Sequence, residues 1–116
     1  MLFDFERFKP RIKLAYRNCP NCPYSIEEVT AVIAYYFDTY EYIFDNPHPV
    51  ISLQQLTDII RKMPEVNGLY IEPENYPPMI DQHFATDYGG CDYNINHFFS
   101  GLIRENRFYE ACYRGG

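Results

Sequence analysis

The chain has no tryptophan, and it has no lysine or arginine between residues 18 and 60 or between 63 and 103. No apolar run approaches the roughly 18 residues needed to span a bilayer, so no membrane-spanning helix is expected. Stretches without a base repel phosphate, which makes most of the chain unsuitable as a surface for nucleic acid. Catalytic signatures are missing as well. There is no G-x-S-x-G, P-loop or dinucleotide fingerprint, and none of the three histidines sits in a recognisable catalytic motif. The expectation is a protein that is not an enzyme. The N-terminus, Met1-Leu-Phe-Asp-Phe-Glu-Arg7, lacks the basic start and apolar core of a secretory signal, which points to an intracellular, cytoplasmic protein.

What is present fits one domain over residues 1–116. Apolar residues make up 47 % of the chain, enough for a packed core of limited size. The net charge of −6 is unevenly spread. Residues 1–17 carry five bases against two acids, whereas 18–116 carry five bases against 14 acids. An acidic body of this kind suits a basic partner.

Periodicity places the elements. Ile12, Leu14 and Tyr16 alternate with Arg11, Lys13 and Arg17, a period of two that predicts a strand over 11–17, with Pro10 ending a helical turn before it. Its bases are read as offsetting the acids of the body rather than as a phosphate contact. Ser25 and Glu28 form a capping box that opens a long central helix near 25–45. Ser52 and Gln55 open a shorter helix that Pro64 ends, with Leu53, Leu56, Ile59, Ile60 and Met63 on its apolar face. Asn67-Gly68 marks a turn, and Leu69–Glu72 reads as a short strand pairing with 11–17. Pro77 and Pro78 suit the first turn of a helix near 77–87. A last helix is expected over 94–113. The predicted fold class is α+β, mainly α: about four helices with a minimal two-stranded β element, stapled by a structural zinc site.

The zinc expectation starts from Cys19-Pro-Asn-Cys22. In a reducing compartment a close cysteine pair is more often metal-binding or redox-active than disulfide-bonded. Zinc needs two further Cys or His ligands to complete a tetrahedron. Cys91 and Cys112 would bracket the last helix, about 28 Å long at 1.5 Å per residue, and so would not meet at one ion. Cys91 and His97 flank its N-terminus and can converge. The favoured set is therefore Cys19, Cys22, Cys91 and His97, with Cys112 or His83 as the alternative fourth ligand. A thiol oxidoreductase is a lesser reading, because the chain lacks the alternating strands of a thioredoxin-like fold.

On the central helix, Tyr35, Asp38, Tyr42 and Asp45 fall away from the main apolar stripe, with Glu41 beside them. Tyrosine rings stack on guanidinium groups and carboxylates pair with them, so these five residues are the candidate partner-binding set.

Two segments carry a resemblance. They are His48-Pro-Val-Ile-Ser-Leu-Gln-Gln-Leu-Thr-Asp-Ile-Ile-Arg-Lys-Met-Pro64 and Asp92-Tyr-Asn-Ile-Asn-His-Phe-Phe-Ser-Gly-Leu-Ile-Arg-Glu-Asn-Arg-Phe-Tyr-Glu-Ala-Cys112. They resemble small phage and mobile-element proteins of Gram-positive bacteria, a class that includes anti-CRISPR proteins. The resemblance brings no functional residue with it. It implies a bacterial host cell and an inhibitor that binds a basic nucleic-acid-handling protein, a CRISPR effector nuclease, and blocks nucleic-acid engagement without touching nucleic acid itself. The alternative is a small zinc-containing regulator that binds nucleic acid through its basic N-terminal segment.

Overall fold

Residues 5–66, 68–86 and 93–99 are described by the computed structural model. The first element, α1, is a helix over Phe5–Arg17, where alternation predicts a strand. Spacing of three and four wins over spacing of two. Phe8, Ile12, Ala15 and Cys19 form one buried stripe, while Leu14, on the predicted inner side of the strand, is 49 % exposed. Pro10 lies inside the helix and removes one backbone donor, at a cost of about 3 kcal/mol. Burial of Phe8 and Ile12, roughly 1.5–3 kcal/mol each, is enough to offset it. Tertiary packing, chiefly on the third helix and also on the second, thus keeps α1 helical through a residue that would end an isolated helix.

The second helix, α2, spans Ile26–Phe44, and its capping box forms as expected. The Ser25 amide donates to Glu28 Oε1 at 2.8 Å, and the Glu28 amide donates to Ser25 Oγ at 3.1 Å. Val29, Val32, Ile33, Tyr36 and Phe37 are its buried face. Asp45 caps the C-terminus in the left-handed region, φ 54°, donating its amide to the Glu41 carbonyl. The third helix, α3, covers Leu53–Lys62 and carries the second predicted capping box, Ser52 with Gln55. Leu56, Ile59, Ile60 and Met63 are fully or almost fully buried.

The two-stranded element exists, but between other partners than expected. β1, Glu65–Val66, pairs antiparallel with β2, Leu69–Tyr70, in the register Glu65 to Tyr70 and Val66 to Leu69. Residues 11–17 are not available to pair because they are helical. Gly68 takes φ 82°, which a side chain would strain even though the space around it is open. A 3-10 turn at Pro73–Asn75 leads into α4, Tyr76–Ala85, whose start carries the expected prolines. Residues 95–99 are helical, with Asn94 as their N-cap: its side-chain oxygen accepts from the His97 amide at 2.8 Å. The rest of the predicted last helix lies outside the described residues, as do Cys91 and Cys112. No described helix is long and apolar enough to cross a membrane.

The end of α3 shows how the core handles its polar groups. The last carbonyls of a helix have no partner within it. Here the Met63 carbonyl accepts the Tyr76 hydroxyl at 2.5 Å and, more weakly, the Tyr24 hydroxyl at 3.4 Å. Tyr24 also donates to the Ile71 carbonyl, while the Ile71 amide donates to the Pro64 carbonyl at 2.8 Å. Two buried tyrosines thereby join the loop after α1, the end of α3 and the hairpin.

Candidate interaction face and the cysteine turn

The Cys19–Cys22 segment is a tight turn, closed by the Cys22 amide on the Cys19 carbonyl at 3.1 Å. The Tyr16 hydroxyl spans the turn, donating from α1 to the Tyr24 carbonyl just before α2 at 2.6 Å. Cys19 is buried, and its Sγ lies 3.6 Å from the Ala15 carbonyl and 3.7 Å from the Thr57 carbonyl. Carbonyls accept only, so the thiol keeps its proton and donates. Burial pushes the Cys19 thiol up, with Arg61 opposing only in part. A redox nucleophile needs the reverse, a lowered thiol pKa. The oxidoreductase reading loses support on that ground.

Cys22 is half-buried beside Cys19. His97 does not join them. Its ring stands edge-on to His83, with centroids 5.7 Å apart, and His83 in turn bonds the Tyr36 hydroxyl through Nε2 at 2.7 Å. Among the described residues, no three His, Cys, Asp or Glu side chains converge as a group that could hold a metal. The expected set of Cys19, Cys22, Cys91 and His97 is therefore not assembled by its described members. His83 is drawn into the same aromatic core, and Cys91 and Cys112 lie outside the described residues.

The histidines have a role that the sequence reading misses. His48, which stands between two prolines, is 3 % exposed and stacks on Phe37 at 4.5 Å. Its Nδ1 faces the Pro49 carbonyl at 2.7 Å, and its Nε2 accepts the Ile95 amide at 3.1 Å. A carbonyl only accepts and an amide only donates, so both ring nitrogens are assigned: Nδ1 carries the proton and the ring is neutral. For His83 a signal was available. It continues the helical stripe of Tyr76, Met79 and Ile80 on α4, all of them buried.

The five expected partner-binding residues stay together. Tyr35, Asp38, Tyr42 and Asp45 follow one another at spacings of three and four along the solvent side of α2, with Glu41 half-buried next to them. Tyr42 is 89 % exposed, with Asp38 and Asp45 exposed one turn to either side. Tyr35 donates to Asp81 Oδ1 at 2.8 Å, which brings a further carboxylate from α4 onto the face. Ile43 and Val50 are also exposed at its end. The last turn of α2 has no base to match the helix dipole. Asp45 instead places a negative charge at the negative end, in a backbone conformation that favours glycine. Local rules broken at one exposed position are a mark of a functional surface. Asp45→Asn is expected to raise stability by about 0.3–1 kcal/mol at low salt, read from thermal melts, with the gain shrinking as salt is added. An unchanged melting temperature would show that the charge carries no such cost.

No protein-family model matches the chain, and neither does any curated protein or solved structure.

Proposed function

We propose that the protein is a non-enzymatic interaction protein that binds a basic nucleic-acid-handling protein through the solvent face of α2, as an inhibitor of the anti-CRISPR type acting on a CRISPR effector nuclease. The observation that carries the reading is Tyr42, 89 % exposed between two exposed aspartates on a helix without a base. An isolated large aromatic in water gains nothing for the fold. Between carboxylates it is suited to an arginine, whose guanidinium stacks on the ring while its N–H groups reach the acids. A nuclease surface that normally holds phosphate offers such arginines. Covering them would block nucleic-acid engagement by occupancy, with no turnover. Zinc at the Cys19–Cys22 turn enters this proposal only as a staple completed by residues outside the described ones, and the acidic face functions with or without it.

The test is the charge-reversed triple variant Asp38→Lys, Glu41→Lys, Asp45→Lys. Its melt should stay within about 2 kcal/mol of the wild type, because Asp38 and Asp45 are exposed and contribute no more than about 1 kcal/mol each, while Glu41 is half-buried. Its affinity for the nuclease should fall by a factor of about ten or more, with slower association. Wild-type inhibition should be stoichiometric and weaken with salt. Unchanged binding by the variant removes this face from the proposal, and inhibition with multiple turnovers would indicate an enzyme. The nucleic-acid reading rests on Lys9, Lys13 and Arg17, which α1 aligns at spacings of four, and salt-sensitive binding of duplex DNA by the protein alone would favour it.

A further inference from the structure

A cleft of about 490 Å³ opens between the Cys19–Cys22 turn, the end of α3 and the hairpin, and no residue of α2 lines it. Its size falls within the roughly 300–1,000 Å³ of small-molecule sites. Ile60 and Pro64, both buried, and the ring of Tyr70, edge-on to Tyr24 at 6.2 Å, supply its apolar lining. Arg61 and Glu65 bring one cation and one carboxylate to the same cleft. Arg61 pairs with Asp58 through Nη1 at 3.3 Å, an exposed contact that leaves other guanidinium donors for a ligand. The Arg61 charge also acts on the Cys19 thiol, which sets it within electrostatic reach of the turn.

Two thiols line this cleft in different states. Cys19 is buried, with its Sγ directed at the Ala15 and Thr57 carbonyls. Cys22 is a free thiol, half-buried, three residues further on. A sulfur nucleophile needs access to its target, and of the pair Cys22 has it. For Cys19 to follow, its sulfur would have to give up both carbonyl contacts and leave the core. In a redox pair the second cysteine displaces whatever the first has captured. Here the second cysteine is held in place, so a group captured by Cys22 stays there. That difference separates a modification site from a catalytic dithiol.

We propose that Cys22 is a site of reversible S-thiolation, taking a mixed disulfide from a small zwitterionic disulfide of the cystine type, with Arg61 receiving a carboxylate and Glu65 an ammonium group. The Cys22 thiolate attacks one sulfur of the disulfide R–S–S–R. The new bond from Cys22 to sulfur forms as the old S–S bond breaks. The leaving R–S⁻ departs with the electron pair and takes up a proton, which balances the one lost by Cys22. The small disulfide is the oxidant: one half of it is reduced to the thiol, and Cys22 is oxidised to the mixed disulfide. A free thiol reverses the step. The two charges of the cleft set the ligand class. A disulfide with carboxylates alone meets Glu65 unfavourably, and a neutral one makes no use of Arg61. A sulfur held in a disulfide no longer ligates metal, so thiolation and a metal at this turn exclude each other.

The test is incubation of the full chain with cystine near neutral pH, with and without prior chelation, followed by intact mass and peptide mapping. An adduct is expected at Cys22 and none at Cys19, and a reductant should remove it. Rates at Cys22 are then compared for cystine, for dithiodipropionate, which has carboxylates alone, and for the neutral hydroxyethyl disulfide. Each is divided by the rate of the same thiol in the urea-unfolded chain, which cancels leaving-group differences between the probes. On that scale cystine should be about 2–5-fold faster than either of the others, the range of an exposed ion pair. Arg61→Gln should remove the advantage over hydroxyethyl disulfide, and Glu65→Gln the advantage over dithiodipropionate. Both positions are exposed, so both variants should melt with the wild type. A Cys22 that stays unmodified with and without chelation overturns the inference. So does a Cys19–Cys22 disulfide as the product, or a preference for cystine that Arg61→Gln leaves intact. None of those results touches nuclease binding, which the triple variant measures separately.

Discussion

Lowering the pH from 7 to 5 is expected to cost the protein about 2 kcal/mol through His83 alone, with a further loss through His48. His83 is fully buried, and burial, with His97 adding to it, lowers its pKa to about 3. His48 is lowered by burial, which outweighs the opposing bond to the Pro49 carbonyl. Both folded-state values lie below the ordinary value of 6.5. The unfolded chain therefore takes up protons first, and acid favours it. The contribution to stability is complete above about pH 6.5 and is lost as the pH falls from there towards about 3 for His83. Geometry gives the loss a place. A proton on His48 Nε2 would set an N–H against the Ile95 amide, breaking the bond that ties residues 93–99 to the loop after α2. Melts between pH 7 and 5 should show the midpoint falling by roughly 6–12 °C. His83→Gln should be less stable at pH 7 and flatten that profile. A wild-type midpoint independent of pH over this range would mean that neither histidine is held neutral.

The second large effect is at Tyr76. Its ring is buried against Phe98 and Phe99, with centroids 6.2 and 5.8 Å away, and its hydroxyl holds the Met63 carbonyl at 2.5 Å. Tyr76→Phe keeps the ring and removes the donor. Tyr24, at 3.4 Å from the same carbonyl, replaces it only in part. The expected cost is about 1–2 kcal/mol, near that of a buried acceptor left without a good partner. Tyr76→Ala also empties the ring site and is expected to cost about 3–5 kcal/mol, a large share of the 5–15 kcal/mol that holds a small domain folded. Urea unfolding of the pair separates the hydroxyl from the ring. A phenylalanine variant as stable as the wild type would show that the Met63 carbonyl does not depend on the bond.

The elements that sequence reveals best are those whose signals are local. Ser25 with Glu28 and Ser52 with Gln55 are readable because a capping box is closed within four residues, and both helices start where those pairs predict. The acidic stripe on α2 is readable for the same reason: once the helix is placed, 3.6 residues per turn puts Tyr35, Asp38, Tyr42 and Asp45 on one side. Segment 11–17 misleads because seven residues fit either period. The choice falls to Phe8 and Cys19, which lie beyond the alternating run and complete the helical stripe. Pro10 strengthens the error, since its cost is intrinsic and its compensation comes from α3. The strand pair fails in consequence, as β2 loses its supposed partner and takes the nearer one. His48 is hidden for another reason. Its partners, Phe37 and Ile95, are far away along the chain, and a histidine between prolines looks the same whether it is in water or under an aromatic ring.

Tyr24 has a meaning for synthesis as well as for stability. Its hydroxyl bonds the Ile71 carbonyl, 47 residues further on. At roughly 5–20 residues per second, Tyr24 leaves the ribosome about 2–9 s before its acceptor does. The same wait applies to α1, whose apolar stripe and interior proline depend on α3. During that interval the start of the chain has no fold to join, and the Cys19 thiol, later buried, stands open to solvent. This segment is made before its partners and set in place late, so nascent chains of this protein are most exposed to oxidation and proteolysis in a part that, once folded, holds the buried Cys19 thiol.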